Sequence, residues 1–223
     1  MIMNPQKPNA RLILFVLALL LLLVVVHVGV ISITFSKLGL TRESAFLLLF
    51  FSLFGSLINV PLFTIKTQVP VKTRNTYIPG YLRPYLEQLS GRTLIAVNVG
   101  GCLIPLLFSI YLFMTLPLAL YEVLTGILLV SIISYFYSFP VKHIGIGMPM
   151  LIAPLFAAIV AIIINQELSA PLAYISGTMG VLIGADLLNF GHVSRMGAMV
   201  ASIGGAGTFD GIFMTGILAV LLA

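Results

Sequence analysis

The chain has 223 residues, 60% of them hydrophobic and only 8% charged, against roughly 25% charged in soluble domains; this excludes a water-soluble globule and makes the bilayer its expected solvent. Its formal charge of +5 comes from basic residues set singly between apolar runs, without a basic face or aromatic platform, so nucleic acid is not an expected partner. The single cysteine, Cys102, lies inside an apolar run, which leaves no intrachain disulfide and no cysteine-based metal cluster.

Backbone groups in hydrocarbon must be satisfied within a helix or a closed barrel. The apolar runs last about 20 residues instead of alternating with period two, so helices are predicted. Candidate spans cover 11–35, 45–65, 93–115, 118–138, 148–164, 170–190 and 201–223. The first follows Lys7 and Arg11 as a signal peptide would, but it is longer than an ordinary apolar core of such a peptide and no small-residue cleavage motif closes it. It is read as a retained span.

The fold expected is an all-α, polytopic transmembrane bundle of about seven spans, forming one domain over 1–223. With the N-terminus in the cytoplasm, Lys7, Arg11, Lys66, Lys72, Arg74, Arg83, Arg92, Lys142 and Arg195 fall inside, and only Lys37 and Arg42 fall outside. That asymmetry fits the positive-inside rule and puts the C-terminus on the extracytoplasmic side of what is expected to be a prokaryotic cytoplasmic membrane. The one long polar connection, 66–92, is punctuated by Pro70, Pro79, Gly80 and Pro84. It reads as a cytoplasmic loop, either a gate or substrate platform or simply a basic loop beside anionic headgroups.

The only aspartates, Asp186 and Asp210, both fall inside predicted spans. Each costs about 2.5 to 3.5 kcal/mol on insertion scales, so each is expected to face protein or an aqueous cavity and to have a task. The sixth and seventh spans are adjacent and antiparallel, which can bring the pair to one depth. Asn59, with Pro61 behind it, and Asn98, with Gly100, Gly101 and Pro105, interrupt the second and third spans. At about 1.5 Å per residue both lie on the order of 9 Å from the cytoplasmic ends of their spans, in the same layer as the aspartates.

Helical spacing puts Ser176, Gly180 and Gly184 on one face of the sixth span, a small-residue stripe that lets another helix approach, with Asp186 and Asn189 on the other side. Gly207, Gly211 and Thr215 form a comparable stripe beside Asp210, and the glycines ahead of it favour an unwound entry. Asp186 and Asp210 are therefore the candidate catalytic pair. Asn59, Asn98, Asn189, Gly207, Thr208 and Gly211 are the candidate binding residues. The bland alternative for each aspartate is a single buried hydrogen bond that fixes helix packing, and for the glycine and proline breaks a kink. His27, His143 and His192 are too scattered for a metal site, and no cofactor motif is present.

Two carboxyls within hydrogen-bond distance in a low-dielectric site share a proton, so one can act as base toward water and the other as acid toward a carbonyl. Over 176–216 the sequence resembles the GxGD intramembrane aspartyl proteases, which include presenilin, signal peptide peptidase and the prepilin peptidases. Those proteins also set two aspartates on neighbouring spans, the second after a glycine-rich motif. Gly207-Thr208-Phe209-Asp210 departs from GxGD, and Ala185 stands where presenilins have tyrosine. Over its whole length the chain resembles an uncharacterised prokaryotic multi-pass membrane family with the same glycine-rich Phe-Asp-Gly ending.

The protease resemblance implies a hydrolase acting on a transmembrane-helix or peptide substrate. Two alternatives stay open. An ion- or proton-coupled transporter or channel would use the same aspartates as cation sites and would be expected to form a homo-oligomer at this length. A membrane assembly subunit would have no chemistry at all.

Overall fold

A computed structural model describes residues 34–67, 91–141, 145–205 and 211–223. Most of the predicted first span, nearly all of the 66–92 connection, and Gly207, Thr208 and Asp210 lie outside the described residues. After a helical turn at 34–37, the chain forms helix α1 (Arg42–Gly55), strand β1 (Asn59–Lys66), strand β2 (Arg92–Asn98), a π-helical turn (Val99–Leu103) and helix α2 (Ile104–Thr115). Helix α3 (Leu120–Tyr137), the short strands β3 (Phe139–Val141) and β4 (Gly145–Gly147), and helix α4 (Ile152–Ile164) follow. Helix α5 (Ser169–Val181) runs into a second π-helical turn (Leu182–Leu187). A short helix α6 (Val193–Met196), strand β5 (Val200–Ile203) and helix α7 (Gly211–Leu222) complete the chain.

The protein is mostly helical, but the all-helical expectation is corrected. β1 pairs antiparallel with β2 and β2 pairs parallel with β5, giving a three-stranded sheet in the order β1-β2-β5, while β3 and β4 form a separate hairpin. Among the described residues, two helices are long and apolar enough to cross a membrane, Leu120–Tyr137 and Ser169–Met196; Val99–Thr115 and Ile152–Ile164 are shorter apolar helices.

Three predicted spans are each part helix and part strand, for local reasons. Pro61 has no N–H to give a helix and restricts the residue before it. It sits on an edge strand, where proline is tolerated, beside an irregularity in register between Pro61 and Phe63. In β2, Thr93, Ile95, Val97 and the following Val99 are β-branched at alternate positions, a pattern suited to a strand. Gly100 and Gly101 then separate it from α2, whose first turn holds Pro105. Strand β5 ends at Gly204 and Gly205, with φ of 82° and 92°, a region open chiefly to glycine.

Helix α5 is the centre of the bundle, with every residue but Met179 buried. Its small side chains are what allow that. Gly180 and Gly184 lie against Val130, Ser131 and Ser134 of α3, and a methyl group on Gly184 would come within 2.2 Å of the Ser131 carbonyl oxygen. On another face, Gly177 meets Ala157 of α4 and Thr215 and Ala219 of α7. The Ser176-Gly180-Gly184 stripe thus seats α3, and close backbone approach replaces bulky interdigitation.

Candidate functional site

The places where strands become helices converge. Asn59 opens β1 and Asn98 closes β2, and the two are directly paired across the sheet. Asn98 Nδ2 donates to Asn59 Oδ1 at 3.1 Å and to the Ser56 carbonyl at 2.7 Å, while its Oδ1 accepts from the Gly101 N–H at 2.7 Å. One buried amide therefore joins the end of α1, the start of β1 and the first turn of the π-helical segment. Ser202, on the neighbouring strand β5, donates to the same Asn59 Oδ1 at 2.5 Å.

Asp186 reaches this node from the other side. It lies within the π-helical turn that extends α5, is only partly buried, and its Oδ2 accepts from the Gly204 N–H at 2.8 Å, two residues beyond Ser202. Gly204 is pressed against the first π-helical turn, where a methyl group on it would lie 2.5 Å from Cys102 Cβ and 2.7 Å from the Cys102 nitrogen. Gly100 is packed as tightly against the end of α1, with Ser52 Oγ donating to its carbonyl at 2.7 Å. Both π-helical turns thus meet at Gly204, one through Cys102 and one through Asp186. Such turns widen the helix by one residue and are frequent at functional sites.

Each predicted site residue can now be located. Asn59 and Asn98 stand on strands and not inside helical spans, a correction to the helical count, and they are hydrogen-bonded to each other. Asn189 is buried and donates to the Gly184 carbonyl at 3.2 Å, holding the π-helical turn that carries Asp186. Gly211 is the first residue of α7, whereas Gly207, Thr208 and Asp210 lie outside the described residues. Ala185, next to Asp186, and Ile212, two residues after Asp210, are buried in one cluster with Cys102, Ala153, Val181 and Leu182.

Ser52, Ser202 and Gly204 belong to the junction but lie outside the sequence-based candidates. A serine in an apolar stretch gives no signal by itself, and Gly204 is one of several glycines before Asp210. Among the described residues, no three His, Cys, Asp or Glu side chains gather to hold a metal ion. The donors and acceptors of this node are amides, hydroxyls, backbone groups and one carboxylate.

The fold and the node define a mostly helical protein in which three chain segments change from strand to helix around a buried polar junction. A family model described as a protein of unknown function, DUF1614, matches residues 53–222, and the chain belongs to that family. No curated protein and no solved structure matches.

The junction yields a direct stability prediction. Asn98→Ala removes both donated bonds and leaves the Gly101 N–H and the Ser56 carbonyl without their side-chain partner. A loss of about 3 kcal/mol is expected, since stranding a buried polar group costs roughly 1 to 3 kcal/mol. Chemical denaturation measures it, and wild-type stability would show that the amide does not hold the junction.

Proposed function

We propose that the chain is a multi-pass integral membrane protein and an intramembrane aspartyl protease-like hydrolase, in which Asp186 and Asp210 together activate water. The observation that carries the reading is the shared packing of Ala185 and Ile212, which draws the chain neighbours of the two aspartates into one cluster. The Asp186 to Gly204 bond supports it, because it fastens the carboxylate to the segment leading to Asp210.

The membrane part rests on an inverted distribution of polarity. Met114, Phe136 and Ile163 are each more than 75% exposed, while Asn98, Ser176 and Thr178 are at most 1% exposed. An exterior of large apolar side chains around buried amides and hydroxyls suits a lipid solvent. The cytoplasmic N-terminus, the extracytoplasmic C-terminus and the prokaryotic cytoplasmic membrane belong to this proposal.

In the hydrolytic step, one carboxylate takes a proton from water as the water oxygen bonds to the peptide carbonyl carbon. The other carboxyl gives its proton to the carbonyl oxygen. Collapse of the tetrahedral intermediate breaks the C–N bond, and the amine leaves with a proton from the pair. Among the described residues Asp186 Oδ2 is engaged by Gly204, leaving Oδ1 as the oxygen for water or proton transfer.

The test is cleavage of a membrane-helix substrate by the purified, reconstituted chain, with Asp210→Asn beside wild type. Cleavage is expected to vanish in the variant, and persistence would refute the dyad. A carboxyl separation beyond about 8 Å in a structure that includes Asp210 would refute it as well, since about 5 Å is needed to share a proton. The second reading, cation-coupled transport, is favoured by one feature. Two π-helical turns and three strand-to-helix breaks put irregular backbone beside Asp186, as in the broken helices of transporters. Ion uptake into proteoliposomes that is lost in Asp186→Asn, with no cleavage by wild type, would favour transport instead.

A further inference from the structure

The two outer edges of the three-stranded sheet differ. On β1, the Val99 N–H donates to the Ile58 carbonyl at 3.0 Å, and alternation from that bond turns the Pro61 nitrogen away from β2. Pro61, the irregular register beside it and the exposed Lys66 at the end of the strand are the features that keep a sheet edge from pairing. The β5 edge has none of them. Val200-Ala201-Ser202-Ile203 runs in unbroken register with Leu94 to Val97 and carries neither proline nor charge.

The direction of the backbone groups on β5 follows from one bond. The Leu94 N–H donates to the Met199 carbonyl at 2.9 Å, so in this parallel ladder Ala201 and Ile203 also turn toward β2, while Val200 and Ser202 turn outward. The Ser202 carbonyl is taken by the Gly205 N–H at 3.3 Å. Among the described residues, the Val200 N–H and carbonyl and the Ser202 N–H have no backbone partner, and both residues are only half-buried. Immediately after the strand, the Gly204 N–H holds Asp186. The open edge therefore ends at the candidate carboxylate.

A peptide bond inside a helix is a poor target for hydrolysis, because its carbonyl already accepts from the amide four residues on. Unwinding the helix strips those bonds, and in hydrocarbon the freed groups need new partners. A strand edge with unpaired donors and an acceptor supplies them. We propose that the outer edge of β5 binds an extended, apolar polypeptide segment as a fourth strand, through the Val200 N–H and carbonyl and the Ser202 N–H. This rests on the membrane and hydrolase readings and names the form in which the substrate is held, a strand whose backbone lies beside the end of β5 where Asp186 is fastened.

The test follows, by fluorescence anisotropy, binding of a fluorescein-labelled peptide of four Val-Thr repeats to the full chain in a neutral detergent. Val200→Pro removes one outward donor and adds bulk at the edge, as Pro61 does on β1, and leaves the bonds to β2 and the Asp186 to Gly204 bond in place. It is expected to weaken binding about tenfold, the size of one lost hydrogen bond, and thermal unfolding checks that the variant is folded. A fully N-methylated copy of the peptide, offered to wild type, should also bind at least about tenfold more weakly, a result that does not depend on the variant's folding. Undiminished binding by folded Val200→Pro, or equal binding of the N-methylated peptide, would overturn the proposal. Self-association of wild type that is lost in Val200→Pro, with no peptide binding, would assign the edge to a second copy of the chain and overturn it too. Cleavage of a membrane-helix substrate that is undiminished in Val200→Pro would sink the edge and keep the hydrolase reading. Edge-dependent peptide binding with no cleavage by wild type would keep the edge and sink the hydrolase reading.

Discussion

Asp186→Asn is expected to leave the protein folded and to reduce peptide-bond cleavage by about a thousandfold or more, within the range that loss of a general acid or base produces. The substitution is informative because the carboxylate has a structural contact as well as a proposed chemical one. Its Oδ2 accepts from the Gly204 N–H at 2.8 Å, and an asparagine Oδ1 can accept the same bond. The amide cannot exchange a proton with water or with a second carboxyl, so anchoring persists while the chemistry is lost. Asp186→Ala removes both functions and strands the Gly204 N–H, at a further cost of about 1 to 3 kcal/mol in stability. Cleavage assays and thermal unfolding of both variants separate the two roles. Full activity in a folded Asp186→Asn protein would exclude Asp186 from the reaction.

Gly100→Ala is expected to be the most disruptive single methyl group in the junction, costing about 3 kcal/mol, at the upper end of overpacking penalties. A Cβ at this position would sit 1.9 Å from the Ser52 carbonyl oxygen and 2.3 Å from the Ser56 nitrogen. Those atoms belong to the backbone of α1 and its cap, so no rotamer change relieves the clash. The π-helical turn must retreat from α1, which loosens the Ser52 to Gly100 and Asn98 to Ser56 hydrogen bonds together. Gly191→Ala is the matched control, since nothing lies within 4 Å of an added Cβ there. Its effect should stay within about 0.5 kcal/mol. Denaturation midpoints report the difference, and equal stability of the two variants would show that the crossing at Gly100 opens freely.

Because the Gly100 crossing lies in the junction that also holds Gly204, the two substitutions probe one assembly from opposite sides. Asp186→Asn leaves its geometry and alters its chemistry. Gly100→Ala keeps every polar group and alters the geometry. A loss of activity in Gly100→Ala that exceeds its loss of folded protein would mean that the positions of Cys102 and Gly204 matter for turnover as well as for stability.

Residue type and spacing alone indicated several of these features. Polar side chains interrupting apolar runs marked Asn59, Asn98 and Asp186, because such groups are costly in hydrocarbon wherever the chain puts them. Spacing marked the face of Ser176, Gly180 and Gly184, because a helix repeats every 3.6 residues whatever it packs against. The alternating Thr93, Ile95, Val97 and Val99 were also visible, but a continuous hydropathic run over 93–115 outweighed them. Hydropathy measures aversion to water and is indifferent to whether the backbone is strand or helix.

Composition and local periodicity specify an apolar chain with few charges, small-residue helix faces and a handful of polar groups inside apolar runs. That the predicted second, third and seventh spans divide into strand and helix, that Asn59 pairs with Asn98, and that Asp186 holds Gly204 depends on contacts between distant segments. The reason is range. A strand is completed by hydrogen bonds to partners far along the chain, as β2 is by β1 and β5, and no local pattern specifies which distant backbone will supply them.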